Sequence, residues 1–356
     1  MRMEENKALA PLTTLGTGGA ARWFVEARSE QEVAEAAGWA GEHGVALFVL
    51  GGGSNLLVAD GGFDGLVLHV ALRGIEATTD AEEEGRVVYQ AAAGEEWENL
   101  VQRATADGCA GVECLAGIPG TVGGTPVQNV GAYGQEVSSV ISRVRAFDLL
   151  EHSFIDFAGT ECAFGYRHSR FNSSDRGRYV VTRVDYLLTP GGAATVRYAD
   201  LRKALAEGMA EGAESSLLEV AAAVRRVRQA KGMLMVEGEA DCRSAGSFFK
   251  NPIVTEERVQ QIAEVSGALP PRFPAGAGGE NAGQMKVPAA WLIEQAGFAK
   301  GYELGRAGIS SRHTLALINR GGASTAEVLA LAVQIEAAVE ARFGIRLEME
   351  PVMVGL

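Results

Sequence analysis

The sequence predicts a protein of mixed helices and strands with more than one domain, and three observations lead to this prediction. Segments with helical apolar spacing alternate with short runs of β-branched and aromatic residues. Two glycine-rich segments interrupt them, at residues 51–55 and 117–134. The chain has 356 residues, which exceeds the size at which a single hydrophobic core stops growing. Two or three domains of about 100 to 150 residues are therefore expected.

The first half of the chain alternates helices and strands. Ser29 and Glu32 form a capping box, and the alanine-rich residues that follow predict a helix over 29–43. Strands are predicted at 45–50 and 56–58, on either side of the glycine turn at 51–55. The order helix, strand, turn, strand is typical of an α/β arrangement. The further elements predicted here are a strand at 87–91, a helix at 95–107, and strands at 140–149 and 180–188. Together they predict one ligand-binding domain from about residue 17 to residue 190.

The second half is mainly helical. Its last helix opens with a Ser324/Glu327 capping box and closes at Gly344. Residues 270–283 contain many glycines and prolines and predict a long loop. The elements predicted in this half are helices at 201–207, 215–231, 255–265, 287–296 and 324–343, and strands at 315–318 and 345–354.

Composition excludes several classes of function. The net charge of −13 argues against a nucleic-acid-binding surface, which needs clustered Lys and Arg. The four cysteines lack metal-ligand spacing, so we predict no metal site and reduced thiols of a cytoplasmic protein. Residues 1–14 lack the apolar run of a signal peptide, and the chain has no apolar stretch long enough to span a membrane.

Residues 117–134 predict a shaped loop that binds phosphate. Six glycines and two prolines in eighteen residues disfavour both helix and strand. Bare glycine backbone lets N–H groups approach a phosphate closely. The loop has no Walker lysine, and from Gly51 the dinucleotide pattern reaches Leu56 where its third glycine should stand. These exclusions favour a long dinucleotide held by two separate backbone loops.

Four motifs in order resemble the UDP-N-acetylenolpyruvoylglucosamine reductase family of peptidoglycan synthesis. They are LGGGSNLLV, AGIPGTVGGTPVQNVGAYG, ECAFGYRHS and AGSFFKNP, and the match covers nearly the whole chain. Tyr198, in the long middle segment, places the chain nearest the form of the family that closes a tyrosine loop over the substrate.

The resemblance implies an FAD-binding fold of the vanillyl-alcohol oxidase/PCMH type, followed by a C-terminal α+β substrate-binding domain. The implied divisions are residues 1–70, completed by a C-terminal strand at 344–356, then 71–230 with the Tyr198 loop, and 231–343. FAD is expected to bind noncovalently, because Ser54 and Asn55 stand where covalent relatives often have histidine. The residues that match the two FAD loops are Gly51, Gly52, Gly53, Ser54, Asn55, Gly117, Ile118, Pro119, Gly120, Thr121, Gly123, Gly124, Gln128, Asn129, Gly131, Ala132, Tyr133 and Gly134.

The implied reaction uses NADPH, through FAD, to reduce the enolpyruvyl ether of UDP-N-acetylglucosamine enolpyruvate, giving UDP-N-acetylmuramate. Arg167 matches the family's catalytic arginine, and a guanidinium can bind the substrate carboxylate through two hydrogen bonds. Ser247 matches the proton donor. Glu350 matches the catalytic glutamate, whose pKa a neighbouring carboxylate and desolvation would raise. Met349 stands where the family often has proline, and Glu348 shares the predicted strand face with Glu350.

The resemblance also implies residues that bind the UDP-sugar. Tyr198 matches the tyrosine of the mobile loop, while Lys231 and Asn251 match contacts to the diphosphate and the uridine side. Tyr166 adjoins the catalytic arginine. His313 stands where other members carry glutamine. NADPH is expected to use the same cleft as the enolpyruvyl substrate, so no separate nicotinamide motif is needed.

Two other functions fit the glycine loops alone. One is an FAD-linked oxidase or dehydrogenase of the same fold that acts on an alcohol or a sugar. The other is a non-catalytic regulator that binds a flavin or a nucleotide sugar. Ser247 and Glu350 favour the reductase over both, because neither alternative needs a proton donor and a carboxyl group at these positions.

Overall fold

The computed structural model describes residues 1–79, 85–207, 215–236, 238–275 and 283–356. The chain divides into two compact units, each built from more than one stretch of sequence. Unit 1 comprises Met1–Lys7, Ala21–Gly53 and Phe63–Ala230. Unit 2 comprises Ala8–Ala20, Ser54–Gly62 and Lys231–Leu356.

The helices lie close to the segments predicted from apolar spacing. They are α1 (Glu30–Glu42), α2 (Trp97–Ala106), α3 (Ala199–Ala206), α4 (Leu217–Ala230), α5 (Glu256–Ser266), α6 (Ala289–Gln295) and α7 (Thr325–Phe343). Within the described ranges, no helix is both long and apolar enough to cross a membrane.

The strands are mostly short. They are β1 (Met3–Ala8), β2 (Ala20–Ala27), β3 (Leu47–Leu50), β4 (Leu56–Val58), β5 (Phe63–Val70), β6 (Ile75–Thr79), β7 (Val87–Ala92), β8 (Cys109–Ala110), β9 (Gly131–Ala132), β10 (Gln135–Glu136), β11 (Ile141–Asp148), β12 (Ser153–Ala158), β13 (Tyr179–Pro190), β14 (Ile253–Val254), β15 (Phe273–Pro274), β16 (Met285–Lys286), β17 (Glu303–Leu304), β18 (Ala307–Ile309), β19 (Leu317–Asn319) and β20 (Val352–Val354).

Local capping explains where two of the helices begin. At α7, the Ser324 side chain accepts from the Glu327 N–H, and the Glu327 carboxylate accepts from the Ser324 N–H, which confirms the predicted capping box. At α1, the Ser29 hydroxyl accepts from the Glu32 N–H as predicted. The Glu32 carboxylate there accepts from the N–H of Arg28 and not from that of Ser29.

Two sheets contribute side chains to the core of unit 1. In the first the strand order is β1-β2-β5-β3, and β5 is parallel to both β2 and β3. In the second the order is β12-β11-β13-β7-β6, and these strands are antiparallel. Helices α1, α2, α3 and α4 contribute buried side chains to the same hydrophobic core as both sheets, with Trp97 among the largest fully buried residues.

Unit 2 has a separate hydrophobic core. Helices α5, α6 and α7 pack there with Phe248, Phe249 and the short strands β18 and β19. Strand β4, from the early part of the chain, pairs in parallel with the C-terminal strand β20. This pairing places residues that follow the first glycine turn in the same unit as the C-terminus.

Two predicted segments differ from the structure. The predicted strand over 345–354 forms a ladder only at β20, because Pro351 has no N–H and because the chain changes partner there, from residues 248–250 to β4. The predicted loop at 270–283 contains β15, which pairs with β16. The rest of that prediction, at residues 276–282, falls outside the described residues.

Candidate functional site

The two glycine loops meet backbone to backbone in unit 1. An added Cβ on Gly52 would lie 2.6 Å from the Cα of Gly120. A Cβ on Gly51 would lie 3.0 Å from the Oγ1 of Thr121. Only glycine allows two main chains to approach this closely. The structure therefore brings together the two segments that the sequence predicts to hold one dinucleotide.

The beginning of α2 holds the middle of the second loop. The N–H of Trp97 donates to the carbonyl of Gly120 at 3.0 Å. The N–H of Val122 donates to the carbonyl of Glu95 at 2.9 Å. The loop is therefore fastened to a helix whose own position is set by the buried Trp97 ring.

Charged side chains hold both sides of Gly117, where the second loop begins. Oε2 of Glu98 accepts from the Gly117 N–H at 2.5 Å, and Nε of Arg228 donates to the Gly117 carbonyl at 3.0 Å. Arg225 also pairs with Glu98. Arg228 is 6% exposed, and this burial lowers the pKa of its guanidinium. The left-handed backbone of Gly117, with φ of 71°, is thus fixed by an ionic network.

Sequence reasoning did not predict the roles of Glu98 and Arg228. The available signal was the basic run of α4, in which Arg225 and Arg228 lie three positions apart and so share a helix face. Their partner Glu98 lies on a different helix, so no local pattern connects it to them.

The end of the second loop is a tight hairpin formed by β9 and β10. Before it, Asn129 adopts a left-handed backbone with φ of 44° and is 1% exposed. Its side-chain amide donates to the Gly165 carbonyl at 2.9 Å, and its oxygen accepts from the Ser138 N–H at 3.1 Å. The Asn129 side chain therefore ties the loop to the motif that carries Arg167.

For five loop residues predicted to bind the cofactor, the contacts in the structure neither support nor contradict that role. Ile118, Pro119, Gln128 and Ala132 are half-buried, and Gly124 is exposed.

Arg167 lies against the second loop in unit 1. Its Nη2 donates to the carbonyl of Gly131 at 3.0 Å, and its guanidinium lies 5.5 Å from the ring centroid of Tyr166. Its backbone is left-handed, with φ of 53°, inside a turn in which Gly165 and His168 exchange backbone hydrogen bonds. Such a conformation is uncommon for a residue with a side chain and persists where its surroundings fix it.

Tyr198, which directly precedes α3, lies against the same end of the second loop. Its ring meets the Tyr133 ring edge-on at 6.0 Å, and its Cε2 lies 3.5 Å from where a Cβ on Gly134 would stand. Tyr198 is 46% exposed. The predicted loop tyrosine therefore rests on the predicted FAD loop.

Ser247 and Glu350 belong to adjoining segments of unit 2. The N–H of Glu350 donates to the carbonyl of Phe248 at 2.9 Å, and that of Lys250 donates to the carbonyl of Glu348 at 2.9 Å. Phe248 and Phe249 are fully buried and anchor the first segment. The structure thus brings together the two segments that carry the predicted proton donor and the predicted carboxyl group.

The structure distinguishes Glu350 from its neighbour Glu348. The Glu348 side chain is 70% exposed and pairs with Lys250. Glu350 is half-buried, and its backbone carbonyl accepts from Nδ2 of Asn55 at 3.1 Å. Period-two alternation could not separate these carboxylates, because the separation depends on partners elsewhere in the chain.

The remaining residues predicted to bind substrate in unit 2 lie at element ends. Oδ1 of Asn251 accepts from the Ala289 N–H at 2.9 Å, where α6 begins. The N–H of His313 donates to Oγ of Ser310 at 3.3 Å. Lys231 directly follows α4.

The residues of the two loops fit FAD. Thr121 is 6% exposed, and its Oγ1 is buried without a hydrogen-bond partner in the structure. A buried hydroxyl of this kind is unfavourable unless a ligand group completes it. The glycine contact beside it supplies the close backbone approach that a pyrophosphate requires. Within the described residues, no group of three or more His, Cys, Asp or Glu side chains could hold a metal ion.

Comparison with known families gives two matches along the chain. Residues 21–151 match an FAD binding domain. Residues 238–354 match the C-terminal domain of UDP-N-acetylenolpyruvoylglucosamine reductase.

Known proteins extend these matches over almost the whole chain. A UDP-N-acetylenolpyruvoylglucosamine reductase of Streptomyces coelicolor is 46% identical, over 98% of this chain and 89% of the relative. One from Pseudomonas putida is 40% identical, over 99% of this chain and 98% of the relative. The crystal structure of the reductase from Thermus caldophilus aligns with a TM-score of 0.65 at 27% identity, covering 99% of each chain.

These matches confirm the predicted arrangement of an FAD-binding domain followed by the C-terminal domain of the reductase family. The alignments with these relatives cover 98% and 99% of the chain, so the similarity extends well beyond the four motifs. The chain therefore belongs to the UDP-N-acetylenolpyruvoylglucosamine reductase family.

Proposed function

We propose that this protein uses NADPH and FAD to reduce the enolpyruvyl ether of UDP-N-acetylglucosamine enolpyruvate, giving UDP-N-acetylmuramate for peptidoglycan synthesis. The observation that carries the proposal is the identity of 46% to a family member over 98% of the chain. Family relatives at this identity share the overall reaction, while the roles of individual residues are argued below from their surroundings.

The paired glycine loops hold FAD. Backbone N–H groups near Gly52 and Gly120, together with the Thr121 hydroxyl, bind its pyrophosphate. FAD held there would supply hydride transfer from NADPH to the methylene carbon of the substrate. Glu98 and Arg228 keep the beginning of the second loop in place through Gly117.

Arg167 binds the carboxylate of the enolpyruvyl group. A guanidinium remains charged and offers parallel donors, so it stabilises the negative charge that gathers on this carboxylate during reduction. Its left-handed backbone and its hydrogen bond to Gly131 support a fixed position beside the cofactor loop.

Ser247 donates a proton to the ether-bearing carbon, and Glu350 shares a hydrogen bond with the substrate carboxylate. Both roles need defined positions, since a positioned proton transfer contributes about 100- to 10,000-fold to a rate. Support comes from the buried anchor at Phe248 and from the backbone hydrogen bond between Phe248 and Glu350.

The UDP moiety is bound by aromatic, charged and polar side chains. Tyr198 and Tyr166 contribute aromatic rings, and Lys231 contributes a point charge for the diphosphate. Asn251 and His313 contribute polar contacts at the ends of their segments. We also propose three functional parts of the chain. Residues 1–70 with 344–356 and residues 71–230 form the two FAD-binding subdomains, and residues 231–343 form the substrate-binding domain.

We further propose that the protein acts in the cytoplasm on a small molecule and not on nucleic acid. The net charge of −13 is unfavourable for binding a polyanion. All four cysteines are free and buried, as expected for a reducing compartment.

The flavin spectrum tests the proposed reaction. Purified protein is expected to be yellow, to oxidise NADPH slowly alone, and to oxidise it rapidly once UDP-N-acetylglucosamine enolpyruvate is added. Protein that takes up no FAD would overturn the proposal. Flavin that is reduced by an alcohol or sugar, and not by NADPH, would favour an oxidase instead.

The two half-reactions test the role of Ser247. Ser247→Ala should leave FAD reduction by NADPH intact and slow FAD reoxidation by the enolpyruvyl substrate by about 100-fold or more. Equal loss in both half-reactions would make Ser247 a structural residue.

A further inference from the structure

Unit 1 contains a carboxylate in its interior that the proposed reaction does not use. Glu113 is fully buried, in a short turn of helix just before the second glycine loop. Its Oε2 accepts from the Gly111 N–H at 2.8 Å. Its Oε1 accepts from Nε2 of Gln135 at 2.6 Å and from the Thr195 N–H at 3.0 Å. All three donors are neutral groups. Two of them, from Gln135 and Thr195, belong to other segments of the chain, so the carboxylate links three segments.

Cys114 completes the same network from the next position. Its N–H donates to Oε1 of Gln135 at 2.7 Å, and its thiol donates to the Thr195 carbonyl at 2.9 Å. Burial, assisted by the negative charge of Glu113, raises the pKa of Cys114 to about 12, which keeps the thiol a donor. Both ends of the Gln135 amide, and the backbone N–H and carbonyl of Thr195, are therefore bonded by two adjacent residues.

The two segments joined by this network both belong to the proposed site. Gln135 directly follows Gly134, the last residue of the second glycine loop. Thr195 lies shortly before Tyr198, whose ring contacts Tyr133. The network therefore joins the segment just before Tyr198 to the residue just after the second glycine loop.

We propose that Glu113 is a positioning residue that aligns the Tyr198 loop with the end of the FAD loop, and so determines affinity for the UDP-sugar. This inference rests on the proposed function, because it assumes that Tyr198 closes over that substrate. A carboxylate suits the task, since it alone offers acceptors to three donors from different directions. Hydrogen bonds to a charged group are also stronger than neutral ones.

The test separates substrate affinity from cofactor chemistry. In Glu113→Gln, an NH₂ group replaces one acceptor oxygen and must face an N–H donor. We expect the KM for UDP-N-acetylglucosamine enolpyruvate to rise about tenfold, the effect of losing one hydrogen bond to a charged group. FAD reduction by NADPH alone should stay within about twofold of the wild type. Thr195→Pro removes the Thr195 N–H donor and leaves the Glu113 side chain unaltered. It should likewise raise the KM for the enolpyruvyl substrate and leave FAD reduction by NADPH unchanged.

Trypsin cleavage after Arg197 reports the position of the loop independently of turnover. We expect both variants to be cut about tenfold faster there, because local opening is favoured when the Thr195 hydrogen bond is lost. The control is Asp185→Asn, a buried carboxylate of β13 that bonds Arg183 and Gln90. This control should lower stability without changing the KM or the cleavage rate.

The outcomes are distinct. Unchanged KM and cleavage in both variants would overturn the inference, and so would equal losses in both half-reactions or the same KM change in the control. If the wild type does not turn over the enolpyruvyl substrate, the proposed function fails. Unchanged cleavage at Arg197 in the variants would then still overturn the role of Glu113 in placing the loop.

Discussion

Asn55 donates a hydrogen bond from its side-chain amide to the backbone carbonyl of Glu350 at 3.1 Å, across 295 positions of sequence. The carbonyl of Asn55 also accepts from the N–H of Val352 at 2.9 Å. The residue that ends the first glycine turn thus fixes the backbone on both sides of Pro351. Through this contact, a predicted cofactor residue determines the position of the predicted catalytic glutamate.

Removal of the Asn55 amide should therefore affect catalysis as well as stability. We expect Asn55→Ala to lower the free energy of unfolding by about 1 kcal/mol and to slow FAD reoxidation by the enolpyruvyl substrate. Asn99→Ala is the matched control, since Asn99 is an exposed residue of α2 whose amide donates to the Glu95 carboxylate. Urea unfolding and the two half-reaction rates provide the measurements. Equal reoxidation rates in the two variants would contradict the role assigned to Asn55.

The neighbouring carboxylates Glu350 and Glu348 form a natural pair of variants. Glu350→Gln should slow FAD reoxidation about 100-fold, because a positioned acid–base group contributes at least this much. Glu348→Gln should change it less than about twofold, since the exposed pair with Lys250 contributes little. Stopped-flow reoxidation of the reduced protein measures both rates. A larger effect at Glu348 would reverse the assignment.

The contact between the glycine loops predicts the effect of a single methyl group. Gly52→Ala would place a Cβ 2.6 Å from the Cα of Gly120, so the two loops would have to separate. We expect FAD binding to weaken about tenfold or more, as overpacking usually costs about 1–3 kcal/mol. Gly38→Ala in α1 is the control, because its Cβ meets nothing within 4 Å and alanine favours a helix. Fluorescence titration with FAD measures the affinity of both variants. Equal affinities for FAD would contradict this prediction.

The ion pair between the buried Asp148 and the half-buried Arg178 predicts how stability depends on pH. Hydrogen bonds from Arg178, assisted by the N–H groups of Leu150 and Glu151, hold the pKa of Asp148 below its ordinary value. Because the folded pKa is the lower one, this carboxylate stabilises the fold above its unfolded pKa of about 3.9. That contribution is lost as the pH falls from there through the folded pKa.

Asp148→Asn should therefore be less stable than the wild type at pH 7, and the difference should shrink at about pH 3. The comparison is made by urea unfolding at a series of pH values. Asp64→Asn serves as the control, because the Asp64 side chain is 83% exposed beside Arg22 and its loss should change little. A difference for Asp148→Asn that is the same at both pH values would contradict the ion-pair explanation.

Much of the helical structure could be predicted, because its signals are local. The Ser324/Glu327 box and Gly344 lie within a few residues of the helix ends that they define. Strands were predicted less well. Strand β2 was not predicted, since its pairing with β5 depends on residues about forty positions away and on a shared core.

The candidate site shows the same division. The motifs around Arg167, Ser247 and Glu350 could be recognised as short patterns, and their catalytic roles stay predictions. No pattern connected Glu98 and Arg228 to Gly117, or Glu113 to Gln135 and Thr195. Each of these contacts joins polar groups from segments that are distant in sequence, so it depends on how the chain packs and leaves no local pattern.

The sequence by itself determined the class of the fold, the two glycine loops and the residue types available for chemistry, because backbone propensity and motif order act over short stretches. Only the tertiary structure decided that Gly52 lies against Gly120, that Glu350 is half-buried while Glu348 is exposed, and that Asn55 holds the backbone of Glu350. These relationships depend on packing between distant segments. Their hydrogen bonds form because burial leaves the polar groups no water to bond instead.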